Sequence, residues 1–170
     1  MRERNFEGRR KELLCEWVAR YQTDILRMCR MLLRDTKLAE DAAQETFLKA
    51  YLSCDSLIDR GKAKAWLTSI AVNTCRQMRR SKWARHITGR ADDDENAPIQ
   101  QFPSEQVLLH IEVERLPYRQ REVILLYYYQ GLNVVEIARA LKISQSSVSS
   151  RLERARTKLR RAWEGDKEDE

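Results

Sequence analysis

Apolar residues recur at intervals of three and four along most of this chain, and this spacing constrains the fold more than any other feature. It covers residues 9–33, 36–53 and 62–85, and it resumes from Val107 to Trp163. Such spacing places the apolar side chains on one side of an α-helix. The 170 residues include only five glycines and three prolines, and no stretch of any length alternates apolar and polar residues as a strand would. The sequence therefore predicts an all-α protein.

The periodicity is interrupted over residues 86–105, where the composition also changes. This segment holds two of the three prolines and an acidic cluster, which indicates a flexible linker. We therefore expect two small helical domains, the first with three helices and the second with four. The predicted bounds are 1–85 for the first domain, 106–164 for the second and 165–170 for an acidic tail. Breaks are expected at 34–36, where Asp35 or Thr36 caps a helix, at 55–61, at 116–117, at Gly131 and at 142–144.

The charge and the cysteines narrow the functional class. A net charge of +6 and a pI near 9.3 favour a polyanionic partner, nucleic acid first and an acidic membrane surface second, although solubility alone would also explain them. The four cysteines form no CxxC pair, and the two histidines do not lie at metal-ligand spacing from them. Each of the four cysteines, Cys15, Cys29, Cys54 and Cys75, falls within an apolar helical pattern. We therefore expect them to be reduced core residues, and we expect no metal or cofactor.

No signal peptide or long apolar run is present, so we expect a soluble cytoplasmic protein without membrane insertion.

The last third of the chain contains the strongest motif. Asn133 followed by Glu136 resembles a capping pair that begins a short helix. Ser144 is placed to cap the next helix, whose buried stripe comprises Val148, Leu152, Ala155 and Leu159. A helix, a three-residue turn and a second helix with these apolar positions predict a helix-turn-helix.

The second helix of this motif begins with five serines in seven residues, although serine is a mediocre helix former. Short side chains at the start of a recognition helix let its backbone approach the floor of the DNA major groove, and hydroxyls can bond base edges or phosphates. The candidate DNA-binding residues are Ser146, Ser149, Ser150, Arg151, Arg154 and Arg156. A serine-rich cap on a helix with a solvated basic face is the alternative. Glu153 would either accept a hydrogen bond from cytosine or pair with Arg156 or Arg160.

The first domain has a second basic surface, because no aspartate or glutamate occurs from residue 60 to residue 91. On the third helix, one face opposite the apolar stripe carries Asn73, Arg76, Gln77 and Arg80. Lys62 and Lys64 lie at the start of this helix, and Trp83 lies near its end. Cations, amides and aromatic rings suit single-stranded nucleic acid, whereas a merely solvated basic face is the alternative.

The second helix carries the opposite charge. Asp41, Gln44 and Glu45 share one of its faces, next to Leu48. Such a face does not suit nucleic acid, but it suits a basic protein surface.

These motifs, in this order, resemble the small extracytoplasmic-function sigma factors of bacterial RNA polymerase. The similarity rests on DAAQETFLKAY (41–51), WLTSIAVNTCRQMRR (66–80) and the segment 116–160, which opens with L-P-x-x-x-R-E-V. The first resembles the family's polymerase-binding segment, the second its −10 promoter segment and the third its −35-binding domain.

The resemblance implies specific partners. Asp41, Gln44, Glu45 and Leu48 would bind the clamp helices of the largest polymerase subunit, and the flap would be a further contact. Asn73 would hold a flipped −10 base in a pocket completed by the loop 55–64, with Arg76, Gln77, Arg80, Lys62 and Lys64 nearby. Ser149, Ser150 and Arg154 would face −35 bases, and Arg151 would face the DNA backbone. The resemblance also implies an anti-sigma factor and a protein that is not an enzyme.

Two other classes fit less well. A stand-alone helix-turn-helix regulator of the response-regulator kind would need an α/β receiver domain. A DNA recombinase would need a nucleophile among arginines in a catalytic fold, and Ser69 and Ser81 lie instead on an amphipathic helix. Both alternatives predict strands in residues 1–90.

Overall fold

The computed structural model describes residues 2–57, 59–87 and 104–165, which fall into two units divided between Asp93 and Asp94. The first unit contains α1 (Arg2–Leu33), α2 (Thr36–Ser53) and α3 (Ala63–Ile87). The second contains α4 (Ser104–Arg115), α5 (Tyr118–Ile124), α6 (Val134–Leu141) and α7 (Gln145–Gly165). These residues contain no strand, which confirms the all-α prediction and the number of helices in each unit.

The helix ends differ slightly from those predicted. Helix α1 begins at Arg2 instead of residue 9, and α3 and α4 both extend into the predicted linker 86–105. Residues 88–103 of that linker and 166–170 of the predicted tail lie outside the described residues, as does the side chain of Trp83.

In the first unit, α1 packs against both α2 and α3. Large apolar side chains are buried on α1 and small ones on α2, and small side chains let helix backbones approach closely. The buried residues include Ile25, Met28 and Leu32 on α1 and Ala39, Ala42, Ala43 and Ala50 on α2. The indole rings of Trp17 and Trp66 join α1 to α3 in an edge-to-face contact, with centroids 5.4 Å apart.

A single carboxylate organises the turn from α1 to α2. Asp35 accepts a hydrogen bond from the Leu38 backbone N–H at 2.9 Å, so it is the N-cap of α2. The same side chain accepts from Lys82 Nζ of α3 at 3.0 Å. Although partial burial raises the pKa of Asp35, the hydrogen bonds from Leu38 and Lys82 outweigh it and hold that pKa below its usual value. Of the two predicted caps, the structure selects Asp35.

The cysteine prediction holds for three of the four residues. All four are free thiols, and Cys29, Cys54 and Cys75 are buried. A hydrogen bond between the thiols of Cys29 and Cys75, together with burial, raises the pKa of Cys75 well above its usual value, so this thiol stays neutral. The prediction is wrong for Cys15, which is exposed. It shares a helix face with the exposed Ala19 and Gln22, one step around α1 from the buried stripe.

In the second unit, α7 contacts each of the other three helices. Helix α5 continues into a π turn at Leu125–Tyr129, where the Gln130 N–H donates to the Leu125 carbonyl at 3.0 Å. Leu125 and Leu126 are both buried in this turn, whereas Tyr128 is 56 % exposed. Gly131 has a φ of +71°, a conformation that glycine adopts without steric cost, and it ends the helical segment as predicted.

The two helices of the predicted helix-turn-helix, α6 and α7, both begin at the predicted caps. Asn133 and Glu136 form a reciprocal capping box with two hydrogen bonds of 2.9 Å. Lys142 ends α6 in the left-handed conformation, at φ 54°. The Ser147 N–H then donates to Ser144 Oγ at 3.2 Å, so Ser144 caps α7.

Candidate nucleic-acid interfaces

The acidic face of α2 comprises Asp41, Gln44, Glu45 and Leu48. Asp41, Gln44 and Leu48 are exposed, and Glu45 is half-buried. The face points away from the alanines that pack against α1. Leu48 is 53 % exposed, and Leu52, one turn further along, is 65 % exposed. Leu52 was not among the predicted site residues, yet it extends the apolar part of this surface at the i, i+4 spacing that the sequence displays.

The basic face of α3 comprises Asn73, Arg76, Gln77 and Arg80. Gln77 and Arg80 are exposed, and Asn73 and Arg76 are half-buried, while the opposite side of the helix packs into the core. The Asn73 side-chain amide donates to the Ser69 carbonyl at 2.7 Å, which fixes its direction.

The two predicted lysines lie where the loop after α2 meets the start of α3. The loop forms short 3₁₀ turns at Cys54–Ser56 and Arg60–Lys62, and the Gly61 N–H donates to Asp59 Oδ1 at 2.9 Å. Lys62 is exposed and Lys64 is half-buried at the start of α3.

Lys49 of α2, which sequence reasoning missed, lies between these two faces. Its Nζ is 3.5 Å from Glu45 Oε1 on the acidic face. It is also 3.3 Å from Thr74 Oγ1 and 3.4 Å from Gln77 Oε1 on α3. The i, i+4 spacing from Glu45 is visible in the sequence, but the contacts with α3 depend on how the helices pack.

On α7, Val148, Leu152 and Ala155 form the buried stripe, whereas Leu159, which was predicted to belong to it, is only half-buried. The predicted DNA-binding residues lie on the outer side. Among these, Ser146, Ser149, Arg154 and Arg156 are exposed, and Ser150 and Arg151 are half-buried. Ser144 Oγ lies 3.0 Å from Ser146 Oγ and 2.8 Å from Ser147 Oγ. The serine hydroxyls at the start of the helix therefore bond one another.

Arg151 has a partner inside the second unit. Its Nη1 is 3.3 Å from Oε1 of Glu122, and Glu122 is fully buried. The neighbouring Arg121 is also buried and donates from Nη1 to the carbonyls of Glu114 at 2.6 Å and Leu116 at 3.1 Å. The predicted phosphate contact of Arg151 stays a prediction, but this guanidinium is also a structural link between α7 and α5.

Arg156 lies over the tyrosines of the π turn. Its guanidinium is 5.4 Å from the ring centre of Tyr127 and 5.6 Å from that of Tyr128, and its Nε donates to Tyr128 Oη at 2.9 Å. Cation–π contacts and the hydrogen bond hold this side chain against the second unit. Its contact with DNA stays a prediction.

Residues 2–57, 59–87 and 104–165 contain neither a metal-binding cluster nor a membrane-spanning helix. No group of three or more histidine, cysteine, aspartate or glutamate side chains is arranged to hold a metal ion. Over the same ranges, no helix has the length and apolar character needed to span a membrane.

Comparison with known protein families matches both units. Residues 17–85 match Sigma-70 region 2, and residues 113–161 match Sigma-70, region 4. The first match includes α2 and most of α3 with their acidic and basic faces, and the second includes the helix-turn-helix.

Individual relatives give the same result. The chain is 34% identical over 157 residues to the ECF RNA polymerase sigma factor SigM of Bacillus subtilis, a match that covers 88% of this chain and 94% of that protein. Its structure is similar to the sigma factor RpoE in a complex with the anti-sigma factor NepR from Bartonella quintana. That match has a TM-score of 0.74 and 25% identity, and it covers 91% of this chain and 98% of the other.

A second solved structure, CnrH in complex with the cytosolic domain of CnrY, matches with a TM-score of 0.64 and 25% identity, covering 92% of this chain and 90% of that one. Because the family matches and the SigM relative together span most of the chain, this protein belongs to the ECF group of RNA polymerase sigma factors and acts in promoter-specific transcription initiation.

Proposed function

We propose that this sigma factor binds core RNA polymerase through the acidic face of α2 and promoter DNA through α3 and α7. The separation of charge in the first unit carries the proposal. Asp41, Gln44 and Leu48 are exposed on α2, whereas the exposed Gln77 and Arg80 lie on α3. A protein with a basic surface and a nucleic acid can therefore bind neighbouring helices without competing for the same residues.

The acidic face would receive the clamp helices of the largest polymerase subunit. Carboxylates at its edge steer a basic partner, and the exposed Leu48 supplies apolar contact area that desolvation makes favourable. The flap of the polymerase would be a separate contact.

The basic face of α3 would bind the unpaired strand of the −10 element. Arg76, Arg80, Lys62 and Lys64 would attract its phosphates, and Asn73 would bond a flipped base beside the loop 55–64. Flipping a base costs a few kcal/mol of stacking and pairing. Capture of that base by α3 offsets this cost and favours the open complex.

Helix α7 would read the −35 element as duplex DNA. The exposed Ser146 and Ser149 let the helix approach the floor of the major groove, where Ser150 and Arg154 would bond base edges. Arg151 and Arg156 would contact the DNA backbone while their links to Glu122 and Tyr128 hold them in place. The protein would act by binding alone, as a cytoplasmic factor that is not an enzyme.

A masking protein is the further expected partner. RpoE and CnrH, whose structures this chain resembles, were each solved with another protein bound, and NepR is an anti-sigma factor. We propose that an anti-sigma factor holds this protein inactive by covering its DNA-binding and polymerase-binding faces. Purification from uninduced host cells should recover such a partner, and recovery of the sigma factor alone would contradict this part of the proposal.

The test of polymerase binding is charge reversal on α2. The double variant Asp41→Arg and Glu45→Arg should lose binding to core polymerase in a pull-down, because it replaces two attractive charges with two repulsive ones. The control is Glu12→Arg with Glu16→Arg, which changes the net charge equally at two exposed positions of α1 with the same i, i+4 spacing. Circular dichroism should show unchanged helicity for both. If both variants bind core polymerase as well as the wild-type protein does, the acidic face of α2 does not bind the polymerase.

A further inference from the structure

Lys49 is anchored on both sides of the groove between α2 and α3. Its Nζ lies within 3.5 Å of oxygen atoms on Glu45, Thr74 and Gln77. Thr74 is buried, with 2 % of its surface exposed, whereas Gln77 is exposed on the basic face. Three acceptors of different kinds therefore hold one ammonium group at the edge of the candidate −10 surface.

The chemistry of the ammonium group determines the direction of the Gln77 amide. A lysine ammonium only donates hydrogen bonds, so the atom of Gln77 that faces it must be the carbonyl oxygen. The NH₂ group, on the other side of the amide carbon, then points away from Lys49. A glutamine without such a neighbour can present either its donor or its acceptor to a ligand.

A fixed donor selects its partners. The NH₂ group can bond base carbonyl oxygens, ring nitrogens and phosphate oxygens, but it does not pair with the exocyclic amino groups of adenine or cytosine. A base that presents an acceptor at this position would therefore be favoured over one that presents only a donor.

We propose that Lys49 is a positioning residue that fixes the Gln77 amide with its NH₂ group toward DNA, and so contributes to base selection in the −10 element. The inference rests on the proposed binding of the unpaired −10 strand by α3. Lys49 itself acts through Gln77 and belongs to neither binding face.

The test uses the full-length protein in holoenzyme and a fork-junction DNA whose −10 strand is unpaired and randomised. Lys49→Met keeps the chain length and the helix propensity but removes the donor. It should lower affinity for the preferred fork DNA by about three- to tenfold, the usual net effect of one hydrogen bond. It should also reduce the preference for one base in the −10 strand. Its affinity for core polymerase should stay within about twofold of the wild-type value.

Three further variants separate positioning from a simple phosphate contact. Lys49→Arg keeps a donor and should restore the base preference. Gln77→Ala should lose the same preference, and the double variant Lys49→Met with Gln77→Ala should be no worse than Gln77→Ala, because coupled residues are not additive. Additive losses, or a Lys49→Met variant that keeps its base preference while the salt slope falls by about one, would overturn the inference. A wild-type protein that fails to bind fork DNA in holoenzyme would instead defeat the proposed function.

Discussion

The two units bury different kinds of polar side chain. In the part of the first unit that the structure describes, the buried polar residues are Thr46, Thr68 and Thr74. Among the described residues of the second unit they are Arg121, Glu122 and Gln130. A threonine can satisfy its hydroxyl within its own helix, as Thr46 does by donating to the Ala42 carbonyl at 2.7 Å. A buried ion needs a partner elsewhere in the fold.

The two units also differ in the length of their shortest helices. The first unit packs helices of 32, 18 and 25 residues, whereas α5 and α6 of the second have only 7 and 8. Long helices fix one another through extended apolar contacts. Short helices have less such contact, and the pair between Glu122 and Arg151 ties α7 to α5 through a directional bond. The DNA-facing side of the second unit is thus tied to a buried carboxylate through Arg151, whereas in the first unit the link runs from Lys49 to a neutral hydroxyl, that of the buried Thr74.

The largest expected effect comes from breaking one ion pair in each unit. Glu122→Ala leaves the Arg151 guanidinium half-buried without this partner and should destabilise the second unit by about 3 kcal/mol. Glu40→Ala, which removes the exposed partner of Arg30 at 3.2 Å in the first unit, should cost less than about 1 kcal/mol. Hydrogen exchange resolved by segment would measure both in the full chain. If the two substitutions destabilise their units equally, the ion pair of the second unit is no more important for stability than that of the first.

The recognition helix gives the next largest effects. Arg154→Ala should cost about 1–3 kcal/mol of binding at its cognate −35 base pair and relax the preference there, with a smaller loss for Ser150→Ala. Arg160→Ala should weaken all −35 sequences about equally and lower the salt slope by about one or less. Promoter selection with holoenzyme at two salt concentrations measures these changes.

A change of bulk should act separately from a change of base contact. Ser149→Leu improves helix propensity, but its side chain should hold the backbone out of the major groove and abolish use of the −35 element. Binding to −10 fork DNA, which depends on the first unit, should be unchanged. Normal −35 use by this variant, together with an unchanged preference in Arg154→Ala, would contradict the placement of the serine-rich turn in the groove.

The smallest effect concerns Asp35, the half-buried carboxylate that organises the turn from α1 to α2. The pKa of Asp35 is lower in the folded state than in the unfolded chain, so its charge stabilises the fold above the unfolded value of about 3.9 and this contribution is lost as pH falls through the folded pKa. Asp35→Asn keeps an oxygen for the Leu38 N–H but loses the charge facing Lys82. It should cost about 0.5–1 kcal/mol at pH 7.

Exchange protection of α2, measured at pH 7 and near pH 3, checks this prediction. The difference in exchange protection between the wild-type protein and Asp35→Asn should narrow as the pH falls below about 4. A difference that stays constant with pH would show that the charge contributes nothing, and a change in α7 would show that the effect is not confined to the first unit.

The sequence predicts those parts of the fold that local chemistry determines. Asn133 and Ser144 bond backbone groups within four residues, so their caps are readable from spacing alone, and the same spacing reduces the cap of α2 to Asp35 or Thr36. The stripe of Val148, Leu152 and Ala155 is equally local. The exposure of the acidic face and of Ser149 and Arg154 follows from the same periodicity, although their roles in binding stay predictions.

Features set by tertiary packing were not predictable. Glu122 stands between Arg121 and Val123 in a charged stretch, and only the fold shows that Arg151, 29 residues away, partners it. The contacts of Lys49 with Thr74 and Gln77 likewise join two helices. Cys15 lies among apolar residues in sequence but one step outside the buried stripe, where a small error in helical phase changes the result.

The π turn at Leu125–Tyr129 has a consequence for chain length. Its i→i+5 hydrogen bond from Gln130 to Leu125 encloses one residue more than an α-turn does. The segment is therefore a place where the second unit can lose a single residue by reverting to an α-turn, without shifting the register of the helices on either side. Deletion of Tyr129, which is 46 % exposed, should accordingly lower the melting temperature less than deletion of the buried Val123 in α5. Among relatives of this protein, length variation near the helix-turn-helix would then collect at this turn and spare α6 and α7.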